Sequence, residues 1–442
     1  MASSRSCAVI GGQLQSWRYH MALGPKPRSC HAVPRSARRA TRAPKTHVRP
    51  RCKGKVFHAM SHQGGRAGPP NLTRRIPGIF YVRSVRGDRV LSSRAVPMIA
   101  RRGKGSLAVV AGAGGFIGGF LVRRLLAEGF SVRAIDIKPQ TEWYQCFEDA
   151  DNFTRDLSLL EACREMLQGA EGADIYNLAA DMGGMGFIET NKALCTLSVL
   201  INTHLLVAAR DEKIGRYFYA SSACVYNAAK QCDYDVAPLK EEDAYPAMPE
   251  DGYGWEKLFS ERACRHFTED FGLVTRVARF HNVYGPHGTY DGGREKAPAA
   301  ICRKVIEAQQ DGSGAIEIWG DGRQTRSFMY IDDCVEGIRR IMESGLDVPI
   351  NLGSAESVDI DGLVSLVEEI AKVRLRRRYR LDAPRGVNGR NSDNTLIIAR
   401  LGWEPQTPLR RGLESTYRWI AEKMGFAPPS PQSRPVDAER SL

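Results

Sequence analysis

The sequence predicts an α/β fold, a parallel β-sheet wound on both faces by helices, and three observations carry that prediction. Short apolar runs alternate with longer stretches of helical apolar spacing from residue 106 to about residue 280. A glycine-rich turn joins the first apolar run to the first helical stretch. Polar clusters recur just after the apolar runs, at the carboxyl ends of the expected strands, where open α/β sheets gather ligands.

Leu107-Ala108-Val109-Val110-Ala111 is a short apolar run bounded by glycine, and Phe116, Leu121, Leu125 and Leu126 follow it at helical spacing. Between them Gly112-Ala113-Gly114-Gly115-Phe116-Ile117-Gly118 places glycines at i, i+3 and i+6. Such a turn lets backbone N–H groups and a helix N-terminus approach a pyrophosphate. The next run, Val132-Arg133-Ala134-Ile135, ends in Asp136, 24 residues past Gly112. A carboxylate there accepts hydrogen bonds from an adenosine ribose and repels a 2′-phosphate, so the expected cofactor is NAD and not NADP. Its expected holders are Gly112, Gly115, Phe116, Ile117, Gly118 and Asp136, with Asp156 after a third segment.

The alternation continues through Ile175-Tyr176-Asn177-Leu178, a helix through Leu200 to Ala209, a strand Tyr217 to Ser221, a helix Tyr253 to Phe271 and a sixth strand Leu273 to Ala278. The fold class is therefore Rossmann-like, a doubly wound parallel sheet followed by a smaller C-terminal substrate-binding α/β part. The expected boundaries are 105–285 for the NAD-binding part and 286–426 for the mainly substrate-binding part. Residues 427–442, with Pro428, Pro429, Pro431 and Pro435, read as a loose tail.

The chain has 442 residues and a formal net charge of +13, a balance that ordinarily points to nucleic acid or a membrane surface. Here it is a local property. Residues 1–104 hold 23 Lys and Arg against a single acid, Asp88, so the remainder is net acidic and no nucleic-acid partner is expected of it. That extension is rich in Arg, Ser, Ala, Pro and Gly without apolar periodicity, and is expected to be disordered. Three origins stay open: a start placed too early, with Met98 the true one and a cytoplasmic location; a transit peptide to plastid or mitochondrion; or a nucleic-acid-binding arm. The 11 cysteines are scattered without Cys-x-x-Cys or metal-ligand spacing, which indicates neither a disulfide framework nor zinc. No stretch is apolar throughout the roughly 18 residues that a membrane span needs, so no membrane partner is expected.

Chemistry concentrates between Ser221 and Lys257. Tyr253 and Lys257 stand four apart and share one face of the expected helix, so an ammonium can sit beside a phenol and favour its phenolate. Taken with the glycine turn, Asn177-Leu178-Ala179-Ala180, Ser221-Ser222 and Arg279-Phe280-His281-Asn282-Val283-Tyr284-Gly285-Pro286, this pair resembles the extended short-chain dehydrogenases that modify nucleotide sugars, the NAD-dependent epimerase/dehydratase family. Within it Ala180 to Phe187, Ser222-Ala223-Cys224, Gly292 to Ala300 and Gly389 to Asn394 are most similar to members that act on GDP-mannose.

The resemblance implies epimerisation of GDP-mannose at C3 and C5 to GDP-L-galactose through a 4-keto sugar, with NAD as cofactor. It also implies a homodimer built on the helices around Leu200 and Lys257. A sugar carbon bearing hydroxyl groups is not acidic, and a transient ketone at C4 makes the C3 and C5 protons removable. The implied catalytic set is Tyr253 and Lys257, which also hold the cofactor, Ser222 on the forming carbonyl oxygen, and Cys224 and Lys296 as acid and base, with Cys224 removing a carbon-bound proton. Unperturbed thiols and amines titrate near about 8.5 and about 10.4, so both must move toward neutrality. The implied substrate contacts are Gly183, Ser222, Ala223, Cys224, Asn282, Glu295, Lys296, Ala297, Lys304, Gln324, Thr325, Arg326 and Arg390, with Arg326 and Arg390 as a diphosphate clamp. Two alternatives stay open: an epimerase of another nucleotide-activated sugar, at C4 or at C3 and C5, and an NAD-binding scaffold without turnover.

Overall fold

A computed structural model of the chain describes residues 103–427, so the expectations placed on the basic extension up to residue 102 and on the tail from residue 428 lie outside the described residues. The first half follows the alternation expected. β1 (Leu107–Ala111) leads through the glycine turn into α1 (Phe116–Ala127), and then come β2 (Ser131–Asp136), β3 (Asp151–Thr154), α2 (Leu160–Leu167) and β4 (Asp174–Asn177). Next are α3 (Met185–Thr190), α4 (Lys192–Asp211), β5 (Arg216–Ser222), α5 (Tyr253–Phe271) and β6 (Thr275–Phe280). The second half is more broken: β7 (Val283–Tyr284), α6 (Ala297–Gln310), β8 (Ala315–Trp319), β9 (Thr325–Ser327), β10 (Met329–Tyr330) and α7 (Ile331–Met342). It closes with β11 (Ile350–Leu352), β12 (Ser357–Asp359), α8 (Ile360–Ala371), β13 (Arg376–Arg380), β14 (Gly389–Arg390), α9 (Thr395–Leu401) and α10 (Leu409–Lys423).

The main sheet has seven strands in the order β11-β6-β5-β4-β1-β2-β3, every neighbour paired in parallel. The residues of β1 show why both faces are covered. Ala108 and Val110 belong to a core with Leu121, Leu125 and Ile338, contributed by α1 and α7. Val109 and Ala111 belong to a second core with Leu205, Leu206 and Cys264, contributed by α4 and α5. A continuous apolar strand is what a sheet buried on both faces needs. A third core joins α6, α8 and α10 around Val305, Leu363 and Leu413.

Two expectations need adjusting. The sixth strand begins at Thr275 and not Leu273. Gly272 closes α5 in the left-handed region, its φ +72, and the N–H of Leu273 returns to the Phe267 carbonyl at 3.4 Å, so Leu273 completes a helix cap and is not free for the ladder. The sheet also gains a seventh strand, β11, from far along the chain. At three residues it offers no periodicity to detect.

The expectation that no stretch could span a membrane is corrected as well, because α4 is long and apolar enough by length and composition. One face of α4 is core, through Leu205, Leu206, Ala208 and Ala209. On that face Asn202 Oδ1 accepts from the Tyr217 hydroxyl at 2.9 Å and from Asn177 Nδ2 at 3.2 Å. Its other face exposes Leu194, Leu197 and Leu200.

Candidate active site

The glycine turn leaves β1 with Gly112 at φ +83, and a Cβ there would lie 2.9 Å from the backbone nitrogen of Ala179. A Cβ on Gly118 would lie 2.1 Å from the Gly112 carbonyl oxygen. The first turn of α1 is therefore pressed onto the strand end, with Gly115 as its cap, Phe116 and Ile117 opening it, and no acidic residue to occupy its N–H groups. Asp136 ends β2 with Oδ1 accepting from the backbone of Lys138 at 3.0 Å. Asp156 lies just beyond β3, its Oδ1 accepting from Ser158 N at 2.9 Å. The two strand ends are joined by Arg155 N donating to the Asp136 carbonyl at 2.9 Å. A bare helix N-terminus pressed close to a strand, with a carboxylate at the end of the next one, fits a dinucleotide's pyrophosphate and ribose.

Tyr253 opens α5 and Lys257 follows one turn later, both almost fully buried. Their relation differs from the expected one. The Lys257 ammonium lies 5.5 Å from the centroid of the Tyr253 ring and donates to the Tyr219 hydroxyl at 3.1 Å, with a Glu256 carboxylate oxygen 3.6 Å away. Burial, and then the neighbouring Cys224 and Glu256, push the Tyr253 phenol well above its ordinary range, against a hydrogen bond from Ser222. In this geometry the lysine's hydrogen bond goes to Tyr219, and its charge reaches Tyr253 only from beside the ring. Tyr219 and Glu256 were not anticipated, although a carboxylate beside the lysine at 256–257 was a visible signal.

Ser222 ends β5 and its hydroxyl accepts from Cys224 N at 3.2 Å, capping the short turn Ala223–Val225 that carries the thiol. Cys224 packs with Tyr253, Cys195, Ile188, Met182 and Phe187. Burial, and then the Glu250 charge, push the thiol up to about 11 against the pull of Arg390.

Lys296 reaches this corner from another direction. The 183–187 segment is stitched to the loop before α6 by Gly184 N donating to the Arg294 carbonyl at 3.0 Å, while Gly183 lies against Arg294 and Gly184 against Glu295. Lys296 caps α6 just before Ala297. Burial pulls its ammonium below the usual lysine range, and Cys224 is the first group that opposes the shift. The thiol and the amine thus influence each other, and burial moves both toward their neutral forms.

The remaining expected contacts divide. Asn282 donates to the Ser327 carbonyl at 3.1 Å, and Gln324 is buried with Oε1 lacking a hydrogen-bond partner among the described residues. Thr325 Oγ1 donates to the Tyr234 carbonyl at 2.5 Å. Lys304 lies against β8, donating to the Glu317 carbonyl at 3.0 Å with Trp319 beneath it. Arg326 on β9 and Arg390 on β14 are register partners, yet their donors are largely taken. Arg326 binds backbone carbonyls that include Val387 at 2.5 Å and Asn388 at 3.3 Å. Arg390 binds Gln231 Oε1 at 2.6 Å, the Cys224 sulfur at 3.6 Å and the Glu250 carboxylate. Both guanidinium groups are thus engaged by protein partners. Glu250 was not anticipated, since no spacing ties it to Arg390, 140 residues away.

Residues 108–353 match the model of the NAD dependent epimerase/dehydratase family. The chain belongs to that family. It is 45% identical over 316 residues to the GDP-mannose 3,5-epimerase of Arabidopsis thaliana, an alignment covering 71% of this chain and 82% of the relative. Its fold is similar to that of the UDP-glucose 4-epimerase of Thermotoga maritima, solved with UDP-glucose, at a TM-score of 0.65 and 22% identity over 72% of this chain and 99% of that one. It is also similar to the UDP-glucose 4-epimerase of Thermus thermophilus in complex with NAD, at a TM-score of 0.62 and 20% identity over 71% of this chain and 98% of that one.

Proposed function

We propose that this chain is an NAD-dependent isomerase that epimerises GDP-mannose at C3 and C5 to GDP-L-galactose through a 4-keto sugar. The observation that carries the proposal is the convergence of a second proton-transfer pair, Cys224 and Lys296, on the corner that already holds Ser222 and Tyr253. An epimerase working at C4 alone has no need of an acid and a base at carbon. The 45% identity to the Arabidopsis GDP-mannose 3,5-epimerase supports the sugar and its nucleotide.

Bound NAD supplies a hydride acceptor beside C4, which is what makes a ketone there accessible. Tyr253 takes the proton of the C4 hydroxyl, and Ser222 donates to the oxygen as it becomes a carbonyl. Lys257 offsets the charge that builds on the phenol from its place over the ring. Burial pushes the thiol up to about 11 and pulls the amine down, so both move toward their neutral forms. One member of the pair removes the carbon-bound proton and the other delivers one to the opposite face, leaving the carbon inverted and the proton count unchanged.

The outer face of α4 and α5 supports assembly as a homodimer. Leu197, Trp255 and Phe259 are 55%, 50% and 56% exposed on two helices packed against each other, and a second copy would cover them. The division of labour is tested by two variants. Tyr253→Phe should give neither 4-keto sugar nor inversion. Cys224→Ala should still give 4-keto sugar, trapped by borodeuteride as deuterium at C4, while inversion falls at least about a hundredfold. Normal inversion in Cys224→Ala would reduce Cys224 to a packing residue.

A further inference from the structure

The stretch between Cys224 and Tyr253 contains a buried carboxylate that the chemistry above does not use. Glu250 stands three residues before α5, and its backbone N–H donates to the Cys224 carbonyl at 3.0 Å, so it is fixed to the turn that carries the thiol. Its Oε1 takes one arm of the Arg390 guanidinium, and the other arm of the same fork points to the Cys224 sulfur at 3.6 Å. The ion pair is buried, with side-chain exposures of 6% for Arg390 and 11% for Glu250. Its second oxygen, Oε2, is buried with no hydrogen-bond partner among the described residues. Removing one member of such a pair leaves an uncompensated buried charge beside the sulfur.

We infer that Glu250 is a positioning residue for Cys224: its carboxylate holds the Arg390 guanidinium against the sulfur and offsets the positive charge of that guanidinium there. An arginine alone at that distance would draw the thiol toward thiolate. Glu250 opposes that pull, so the same fork can align the sulfur without ionising it. The other groups facing the thiol are Tyr253, Ser222 and Cys195, the Lys296 amine and the Arg326 guanidinium. Glu250 is thus the acidic group set against the Arg390 and Arg326 guanidinium groups and the Lys296 amine. Burial pushes its carboxyl up, and Arg390, Cys224 and Arg326 more than reverse that, leaving it below the usual carboxylate range.

The inference rests on Cys224 working as an acid or base, but its test reads the thiol directly and not turnover. The full chain is treated with iodoacetamide across pH 6–10, and labelling of the Cys224 peptide is followed by mass spectrometry, with the exposed Cys146 and Cys232 as internal standards. Glu250→Gln should label Cys224 about tenfold or more faster at pH 8, with its pH midpoint moved down, since loss of a neighbouring charge shifts a buried group by about a unit or more. Glu250→Asp, which keeps the charge, should stay close to the unsubstituted chain. Equal labelling in Glu250→Gln and the unsubstituted chain overturns the inference. Should Glu250→Gln fail to fold, Arg390→Gln carries the test with the opposite sign: Cys224 labels about tenfold slower, and an unchanged rate overturns the inference. Isotope exchange into GDP-mannose by the unsubstituted chain is measured separately, so failure of the epimerase reading and failure of this inference remain distinguishable.

Discussion

The Lys257 ammonium donates to the Tyr219 hydroxyl at 3.1 Å, and that hydroxyl in turn donates to Glu256 Oε1 at 3.1 Å. Tyr219 is fully buried on β5, so the lysine is aimed by the sheet as much as by its own helix. Tyr219→Phe removes the acceptor and leaves Lys257 to find another. Loss of the buried hydroxyl should cost about 1–2 kcal/mol in urea denaturation, and kcat should fall about tenfold with little change in KM. A change in KM alone would show that Tyr219 does not set the lysine's position.

Asp136 is the one carboxylate at the tip of β2, and it is 8% exposed. Protein purified without added cofactor should carry NAD, and Asp136→Ala should lose most of it, measured in the acid extract. Retained cofactor in that variant would assign the ribose contact elsewhere.

Dimer formation is checked by light scattering at micromolar concentration. Leu197→Glu or Phe259→Glu places a charge in the exposed apolar face of α4 and α5 and should yield monomer, with folding retained by circular dichroism. A dimer that survives both substitutions would place the interface on another face.

His281 makes stability depend on pH. It is fully buried, its Nε2 lies 3.1 Å from Asn351 Oδ1, and burial pulls the imidazole down to about 3. The folded state therefore resists protonation, while the unfolded chain protonates near about 6.5. Stability from this residue is full above that value and is lost as pH falls toward about 3, by up to about 1.4 kcal/mol per pH unit. Urea midpoints at pH 7 and pH 5 should differ less in His281→Gln than in the unsubstituted chain. Equal slopes would show that other groups carry the acid sensitivity.

The legible part of this protein was the part with long, regular patterns or tightly spaced glycines. β1, α1 and β2 were readable because an apolar run, a three-glycine turn and a terminal carboxylate must all occur in sequence for a dinucleotide to be held. Tyr253 and Lys257 are legible from their spacing, Ser222, Cys224 and Lys296 through resemblance, and the fold brings Ser222, Cys224 and Tyr253 to one corner. What escaped was non-local. The three residues of β11 acquire their meaning only from β6 beside them, Glu250 only from an arginine on β14, and the direction of Lys257 only from Tyr219 across the helix–sheet interface. The apolar character of α4 is hard to read because Leu194, Leu197 and Leu200 face outward, opposite its core face.

The most direct test is to incubate the unsubstituted protein with GDP-mannose in D₂O and assign the sugar protons by NMR. The account predicts deuterium at both C3 and C5, with the L-galacto product among the sugars recovered. Inversion at C4 alone, with C3 and C5 still fully protonated, would contradict it and leave Cys224 and Lys296 without a role in proton transfer.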